Sequence, residues 1–341
     1  IKIISSLDIA DRLRPQDGRA RVAVNGVPVD LRVSTLPLVF GENMVLRVLD
    51  RARLVVGLES LGFDEQTLVK FRRAIESRHG IVLVCGPTGS GKSTSLYSTL
   101  RYLSTPDINI TTVEDPIEMI HEDFNQIAVQ PLIGITFASI LRNILRQDPD
   151  IIVLGEIRDK LSAATAMQAA LTGHKVFTTF HTEDSIGGII RLIDMDVETF
   201  LISSTVLSIL AQRLLRRVCS HCRELYTPGP LELSRVGLTP DDIKGYDFYH
   251  GSGCKHCNYT GYSGRVGIYE LLILNEAVKD AILQKKTSYE IRRVSFEHTG
   301  LVTLLENGII KAFKGMTTFD EVAKHVPYTP FVIQVLVPLI T

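Results

Sequence analysis

The sequence predicts an α/β fold whose main domain is built on a mostly parallel β-sheet. Short apolar, β-branched runs alternate with stretches of helical periodicity between residues 66 and 214, which is the pattern of βαβ units. A glycine-rich turn joins one of these runs to a helix at residues 86–94. Four cysteines in two Cys-x-x-Cys pairs follow the alternating region and predict a separate small module.

Composition places the 341-residue chain among ordinary folded proteins, with 45% hydrophobic and 22% charged residues. The 38 acidic residues nearly balance the 37 basic ones, which argues against a protein held on nucleic acid mainly by phosphate contacts. We therefore expect no specific nucleic-acid partner. The sequence shows neither a signal peptide nor an apolar run of about 18 residues, so the expected location is cytoplasmic.

Residues 1–55 predict part of a small N-terminal α+β domain. Apolar and polar residues alternate around Asn25-Gly26, which is a strong signal of a β-hairpin with a two-residue turn. The alternation predicts a core face formed by Val22, Val24, Leu31 and Val33. A further strand is expected to end near Asp50. Because the chain begins so close to this sheet, we expect the domain to start upstream of residue 1.

Residues 56–65 are expected to form a linker to the main domain, whose predicted bounds are residues 66–214. The main domain starts with an amphipathic helix that places Leu68, Phe71 and Ile75 on one face. The predicted strands after this helix are residues 81–85, 108–113, 151–155 and 175–180. Helical stretches lie between them, as a mostly parallel sheet requires.

The turn after the first of these strands matches the phosphate-loop spacing G-x-x-x-x-G-K-[ST]. Backbone N–H groups of such a turn form an anion nest, to which the following helix adds its positive end. Lys92 is expected to reach the β and γ phosphates, and Ser93 to bind Mg²⁺. The expected nucleotide-binding residues are Gly86, Pro87, Thr88, Gly89, Ser90, Gly91, Lys92, Ser93 and Thr94. A turn that holds no ligand is disfavoured, because the strand and helix around it are the context that the motif requires.

Charged residues at the ends of three predicted strands are candidates for hydrolysis. Glu156 follows one strand, and His181 closes another. Glu114 and Glu118 end the third, beside a proline. Each acid alone is more often a solvated loop residue or a helix cap, and each histidine is as often structural. Because ligands bind at the carboxyl ends of parallel strands, their coincidence favours one site near the phosphate loop. Three arginines are expected at the same edge, with surface salt bridges as the alternative: Arg142, Arg146 and Arg158.

Four of the five cysteines form two knuckle pairs within a module expected at residues 215–270. The pairs are Cys219 with Cys222 and Cys254 with Cys257, and their spacing predicts a tetrahedral zinc site. A redox dithiol or chance spacing is the alternative, disfavoured because the pairs lie among turn-forming and basic residues. Cys85, on the strand that enters the phosphate loop, is interpreted as a small buried hydrophobe.

The remaining residues, 271–341, predict a C-terminal helical region. Thr318 and Glu321 have the spacing of a capping box at the start of its last helix. The final apolar run, from Phe331 to Thr341, is too short to span a bilayer.

Taken together, these motifs resemble the ATPases of type II secretion and type IV pilus assembly, the GspE/PilB type. The stretches that carry the resemblance, in the order of the family, are RPQDGR, DLRVSTLP, GPTGSGKST, VEDPIE, DPDIIVLGEIRD, TGHKVFTTFHTEDS, LAQRLLRRVC and the four-cysteine module. The resemblance implies a RecA-like P-loop motor domain preceded by a partial PAS-like domain, the N2-like domain of the family. It implies a homo-hexamer that works with an inner-membrane platform protein and other pilus or secretion components, associated peripherally with the membrane through these partners.

The resemblance also implies cofactors and residue roles. The cofactors are ATP or ADP, Mg²⁺ and Zn²⁺. Glu156 corresponds to the Walker B glutamate, and Glu114 and Glu118 to an acidic box that positions water. His181 corresponds to a residue that contacts the γ phosphate. Two first-domain arginines are implied to reach the nucleotide: Arg19 and Arg32. The sequence departs from many relatives at Phe180 and Glu183, which alters the surroundings of His181.

Pilus assembly is the expected function, with type II secretion as the alternative because both branches share every motif quoted. A retraction motor is disfavoured by the cysteine pairs, which retraction-type ATPases generally lack. A nucleic-acid-stimulated hexameric ATPase is disfavoured by the balanced charge. A phosphotransferase acting on a small metabolite is disfavoured by the lack of an obvious acceptor pocket in the sequence.

Overall fold

The computed structural model describes residues 1–49 and 56–328. The chain divides into two compact units, residues 1–56 and 57–341. Asp50, part of the chain between the units and the C-terminal apolar run lie outside the described residues. Among the described residues, none of the helices combines the length and the apolar character needed to cross a bilayer.

The first unit contains a three-stranded antiparallel sheet in the order β1-β2-β3. Its strands are β1 (Gln16–Val24), β2 (Val27–Leu38) and β3 (Gly41–Leu49), and a short 3-10 helix (Ile3–Ser5) precedes them. Val24 pairs with Val27 around a two-residue turn. Asn25 and Gly26 have φ values of 50° and 79°, as the tight hairpin turn requires. The predicted hairpin is therefore confirmed.

The predicted core face of this hairpin is only partly right. Val33 is fully buried, but Val22 and Leu31 are half-buried. Val24 is wrong as a core residue, because its side chain is 53% exposed. It ends β1 beside the turn, where the tip of the hairpin extends past the buried middle of the sheet.

A seven-stranded sheet in the order β12-β9-β4-β8-β7-β5-β6 forms the centre of the second unit. Neighbouring strands are parallel throughout, except that β12 pairs antiparallel with β9. The strands are β4 (Gly80–Cys85), β5 (Ile110–Glu114), β6 (Asn125–Ala128), β7 (Ile151–Leu154), β8 (Lys175–Phe180), β9 (Val206–Val218) and β12 (Tyr262–Ile273). Every residue of β4, β7 and β8 is buried, as expected for parallel strands covered on both faces. The predicted α/β fold with a mostly parallel sheet is confirmed.

Eleven α-helices accompany the strands in the described part of the second unit. They are α1 (Glu65–Ile75), α2 (Lys92–Leu103), α3 (Phe137–Ile144), α4 (Lys160–Leu171), α5 (Ser185–Asp194), α6 (Thr199–Thr205), α7 (Pro230–Ser234), α8 (Glu276–Leu283), α9 (Ser288–Thr299), α10 (Leu304–Phe313) and α11 (Phe319–His325). The predicted face of α1 is confirmed at Phe71 and Ile75, which are buried, and Leu68 is half-buried. Most of α4 is buried because small residues, including Ala163 and Ala166, let it pack closely on β4 and β8.

The central sheet continues past the predicted boundary of the cysteine module. β9 extends to Val218, which pairs with Tyr262 at the start of β12. The boundary predicted between residues 214 and 215 therefore falls within β9, and residues 219–261 form an insertion between two paired strands. The insertion contains its own antiparallel pair, β10 (Arg223–Tyr226) and β11 (Phe248–Gly251).

The predicted capping box of α11 is half right. The Thr318 side chain accepts a hydrogen bond from the N–H of Glu321, as expected of an N-cap. The Glu321 carboxylate instead accepts hydrogen bonds from the guanidinium and backbone N–H of Arg216. A two-pronged ion pair with a guanidinium is stronger than the single hydrogen bond from the N-cap N–H that it replaces.

Candidate functional site

The glycine-rich turn lies between β4 and α2, at the carboxyl end of a central strand. The φ values of Gly86, Gly89 and Gly91 are 150°, 82° and 92°. Residues other than glycine rarely adopt such values. A Cβ atom on Gly86 would lie 2.6 Å from the carbonyl oxygen of Gln212, whereas the space around Gly89 is open. The turn therefore passes close to β9 on one side and leaves room for a ligand on the other.

Lys92 begins α2 and folds back over this turn. Its Nζ donates hydrogen bonds to the carbonyl oxygens of Gly86 (2.7 Å) and Pro87 (3.1 Å). Burial lowers the pKa of Lys92, and the nearby Glu156 carboxylate opposes that decrease. A bound phosphate would offer Lys92 a stronger partner than either carbonyl. Ser93, the next residue, is exposed at the start of the helix, where an anion-bound metal ion can approach it.

Glu156, His181 and Arg158 form a charged cluster at the carboxyl ends of β7 and β8. The Nε2 atom of His181 lies 3.3 Å from a carboxylate oxygen of Glu156. Arg158 donates a hydrogen bond to the other oxygen of that carboxylate, and lies 3.3 Å from Asp115 after β5. Three neighbouring strands thus bring opposite charges to one edge of the sheet, as the parallel topology predicts.

Glu114 has different partners. Its side chain is 8% exposed and accepts hydrogen bonds from Tyr97 (2.6 Å), Thr112 (2.7 Å) and Gln126 (3.1 Å). Tyr97 lies one turn beyond Ser93 on α2, so Glu114 connects β5 to the helix behind the phosphate loop. The Glu114 carboxylate thus fixes the position of α2 relative to β5. Glu118 is half-buried in the connection to β6.

The two remaining edge arginines, Arg142 and Arg146, are exposed near the end of α3. Neither is among the residues that pair with Glu156. The structure therefore brings Arg158 into the charged cluster and leaves Arg142 and Arg146 on the surface of this chain.

Three arginines stand opposite one another in the first unit. Arg19 pairs with Arg32 across β1 and β2, and Arg32 pairs with Arg47 across β2 and β3. Residues directly opposite in a sheet project from the same face, where like charges disfavour pairing. We call Arg19, Arg32 and Arg47 the arginine row. Sequence reasoning missed Arg47, although the tripeptide Leu-Arg-Val occurs in both β2 and β3.

Sequence reasoning also missed the role of β9 beside the phosphate loop. Gln212 is 1% exposed and its Nε2 atom donates a 2.8 Å hydrogen bond to the carbonyl oxygen of Ser90. The next residue, Arg213, pairs with Glu183 at 2.6 Å. Successive residues of one strand therefore contact the phosphate loop and the segment after His181.

The four predicted zinc ligands come together in one cluster. All four sulfur atoms lie within 4.8 Å of one another. The Sγ atoms are 3.9 Å apart for Cys219 and Cys254, and 3.8 Å apart for Cys222 and Cys257. Zinc–sulfur bonds of about 2.3 Å in a tetrahedron separate the sulfur atoms by about 3.8 Å, so the four thiols fit a zinc ion.

Backbone N–H groups also point at these sulfur atoms, as they do around metal-bound thiolates. Gly253 donates to the sulfur of Cys222 at 3.3 Å, and Cys254 and Gly261 donate to that of Cys257 at 3.2 and 3.3 Å. These backbone hydrogen bonds, led by that from Cys254, lower the pKa of the Cys257 thiol to about 6. The fifth cysteine differs: Cys85 is fully buried, which confirms it as a small buried residue, and burial raises the pKa of its thiol to about 12.

A phosphate loop at the carboxyl edge of a mostly parallel α/β sheet defines a P-loop protein with a RecA-like core. The chain belongs to the family of Type II/IV secretion system proteins, whose profile matches residues 1–324. This result confirms the resemblance drawn from the sequence motifs.

Curated relatives of two kinds are equally similar to the chain. It is 46% identical over 322 residues to the Type IV pilus assembly ATPase PilB of Thermus thermophilus, covering 94% of this chain and 36% of that protein. It is 46% identical over 324 residues to the Type II secretion system protein E of Xanthomonas campestris pv. campestris, covering 95% of this chain and 57% of that protein. The chain therefore spans only about a third to somewhat over half of the length of these relatives.

Solved structures support the fold. The crystal structure of the pilus retraction motor PilT with bound ADP matches with a TM-score of 0.66 at 27% identity, covering 94% of this chain and 80% of that chain. The ATPase DotB of Legionella pneumophila matches with the same TM-score at 24% identity, covering 91% of this chain and 76% of that chain. At such identity the second match indicates a shared fold alone.

Proposed function

We propose that this chain is the motor part of an ATPase that hydrolyses ATP to drive type IV pilus assembly. The observation that carries the proposal is the position of Glu156 and His181, 3.3 Å apart, at the same edge of the sheet as the phosphate loop. Relatives named as pilus assembly ATPases support it, and the similar retraction motor was crystallised with ADP.

In the proposed reaction the backbone N–H groups of residues 88–91 hold the phosphates, and Lys92 moves from its two carbonyl partners to the β and γ phosphates. Mg²⁺, held through Ser93, would neutralise charge on the phosphates. Glu156, oriented by Arg158, accepts a proton from the attacking water. His181 contacts the γ phosphate, and its close approach to Glu156, 3.3 Å, makes the position of each side chain depend on the other.

The acidic box and the arginine row are given supporting roles. We propose that Glu114 orients α2 through Tyr97, and that Glu118 helps to order water near the phosphates. Arg19 and Arg32 are proposed to bind nucleotide phosphates, because a row of three like charges is stabilised by an anion. An arginine that contacts the transferred phosphoryl group raises the rate by roughly 10³ to 10⁵.

The remaining parts of the proposal concern assembly. We propose that Cys219, Cys222, Cys254 and Cys257 bind a structural zinc ion, since their sulfur spacing fits it. The active form is proposed to be a homo-hexamer that associates peripherally with the inner membrane through a platform protein. The hexamer and the membrane association are expected from the family to which the chain belongs.

Type II secretion is the second candidate function. A relative named Type II secretion system protein E is as similar to this chain as the pilus assembly relative, at 46% identity. Neighbouring genes discriminate between the two functions. Pilin and pilus-platform genes beside the coding sequence would favour pilus assembly, whereas secretin and pseudopilin genes would favour secretion.

Phosphate release from ATP by the purified chain tests the activity. We expect hydrolysis that requires Mg²⁺, rises more than linearly with protein concentration as subunits assemble, and does not respond to single-stranded DNA. Lys92→Ala should abolish it, whereas Lys244→Ala, which removes an exposed lysine outside the site, should not. Equal rates for wild type and Lys92→Ala would reject the proposed ATPase.

A further inference from the structure

One buried carboxylate joins the first residues of two helices. Glu270, on β12, is 2% exposed. One of its oxygens accepts hydrogen bonds from the N–H (2.9 Å) and hydroxyl (2.5 Å) of Ser185, the first residue of α5. The other oxygen accepts a hydrogen bond from the N–H of Leu304 (3.2 Å), the first residue of α10.

This arrangement adds to the ordinary caps of both helices. Asp184 already caps α5 by accepting from Gly187, and Thr303 caps α10 by accepting from Glu306. The first N–H groups of a helix have no partner within it and carry the positive end of its dipole. Glu270 therefore accepts hydrogen bonds from the N-termini of two helices at once. A displacement of either helix would strain the hydrogen bond between Glu270 and the other helix.

The α5 end of this connection leads directly to the candidate site. Only three residues separate His181 from Ser185, and two of them are fixed by other elements. Arg213 on β9 pairs with Glu183 at 2.6 Å, and Arg292 on α9 pairs with Asp184 at 2.5 Å. The backbone that carries His181 is thus held in place from its C-terminal side.

The α10 end of the connection leads to residues 61–64, near the start of the second unit. Lys311 donates a hydrogen bond to the carbonyl oxygen of Gly62, and Asn307 lies 3.5 Å from Asp64. Tyr269, the neighbour of Glu270 on β12, donates a 2.8 Å hydrogen bond to the carbonyl oxygen of Leu61. Helix α10 therefore contacts both the Glu270 carboxylate and the segment through which the chain enters this unit.

We propose that Glu270 is a positioning residue that couples the His181 segment to α10, and through α10 to residues 61–64. The proposal rests on the proposed ATPase function for its catalytic consequence, because His181 acts on the nucleotide in that function. The mechanical part of the proposal stands on the hydrogen bonds alone. Movement of residues 61–64 would then change the alignment of His181 without any contact with nucleotide.

Glu270→Gln tests the coupling while keeping the size of the side chain. We expect kcat for ATP to fall roughly 10- to 100-fold, the effect of a displacement of about 1 Å at a reacting group. KM and ADP affinity should stay within threefold, because the phosphate loop is untouched. Amide hydrogen exchange should become faster at the start of both α5 and α10.

Glu306→Gln is the matched control. Glu306 is also a buried carboxylate, 1% exposed, but its hydrogen bonds serve only the cap of α10 at Thr303. We expect kcat within twofold of wild type, with faster exchange at α10 alone. A similar loss of kcat in both variants would overturn the proposal, because it would indicate general loosening of the C-terminal helices.

Ser185→Pro tests the same connection without altering the carboxylate. Proline is tolerated at the first position of a helix, and the change removes both Ser185 donors to Glu270. We expect the same loss of kcat, whereas Ser288→Pro, at the first position of α9, should have none. Wild-type kcat in Ser185→Pro or in folded Glu270→Gln overturns the proposal. If the wild type hydrolyses no ATP, the proposed function fails, and exchange still decides the coupling: faster exchange at α5 and α10 together supports it, and at one helix alone rejects it.

Discussion

At the scale of single residues, the proposed chemistry depends most closely on Glu156. Arg158 and His181 lie at separate oxygens of its carboxylate, so the carboxylate is held in one orientation. The carboxylate of Glu114, another acid at the same sheet edge, accepts hydrogen bonds from Tyr97, Thr112 and Gln126. Of the two acids, only Glu156 has its polar partners at the exposed carboxyl edge of the sheet. This is the arrangement expected of a proton acceptor.

Glu156→Gln is therefore expected to bind nucleotide normally and to lose turnover by about 10² to 10⁴, the usual contribution of a general base. A fluorescent nucleotide titration measures binding, and phosphate release measures turnover. Glu122→Gln, at an exposed acid, serves as the control and should behave as wild type. Hydrolysis at the wild-type rate in Glu156→Gln would remove Glu156 from the mechanism.

The Arg216–Glu321 pair contributes to the dependence of stability on acidic pH. Burial raises the pKa of Glu321, but the hydrogen bonds from Arg216 outweigh it, so the pKa lies below its ordinary value of 4.5. A lowered carboxyl pKa adds stability above pH 4.5 that is lost as the pH falls through the folded-state value.

We expect Glu321→Gln to reduce the free energy of unfolding by about 1.5–3 kcal/mol at pH 7, the contribution of hydrogen bonds to a charged group. The difference from wild type should shrink below pH 4.5. Urea unfolding at pH 7 and at a pH below 4.5 measures this difference in the free energy of unfolding. Glu297→Gln, which breaks an exposed pair with Arg293, should change stability by about 1 kcal/mol or less. A difference independent of pH would contradict the assignment.

At the scale of elements, local signals were enough where neighbours along the chain decide the structure. The Asn25-Gly26 turn, the phosphate loop and the short buried strands each carry their own pattern. The pairing of β9 with β12 was not predictable, because 43 residues of insertion separate Val218 from Tyr262 and periodicity does not reveal a distant partner. Arg47 was missed for a different reason: β2 and β3 are consecutive strands, but only their register places Arg47 beside Arg32.

The Cys-x-x-Cys pairs are the element whose ligand can be tested most directly. We expect the purified wild type to contain about one zinc per chain, and Cys254→Ser to lose most of it. Since structural zinc contributes folding free energy, residues 219–261 should become sensitive to protease in the variant. Cys85→Ala should retain zinc, because that thiol is buried in the central sheet. Unchanged metal content in Cys254→Ser would contradict the ligand set.

At the scale of the whole molecule, the chain combines a unit rich in paired like charges with a unit that carries the phosphate loop. The arginine row lies in a small sheet with few fully buried apolar residues, Ala20 and Val33 among them. Retaining three adjacent cations there opposes the stability of the sheet. The arrangement is therefore consistent with our proposal that the arginine row binds an anion.

We expect Arg32→Ala to lower kcat by on the order of 10³, the effect of losing an arginine that contacts the transferred phosphoryl group. Arg47→Ala should lower kcat in the same direction without lowering the melting temperature, because it relieves repulsion in the row. The control is Arg21→Ala, whose guanidinium is already paired with Asp30 at 2.8 Å. Unchanged kcat in both Arg32→Ala and Arg47→Ala would exclude the row from catalysis.

The insertion between β9 and β12 begins and ends at neighbouring positions in the central sheet. Its two ends leave the sheet at directly opposed residues, Val218 and Tyr262, so a tight hairpin could replace all of it without stretching either strand. The surface left exposed would be aromatic, because the ring of Phe248 in the insertion lies 5.1 Å from the rings of both Phe313 and Phe319. A shortened chain would therefore have to replace the apolar packing of Leu233, Val236 and Phe248, which belong to the same hydrophobic core as the central sheet.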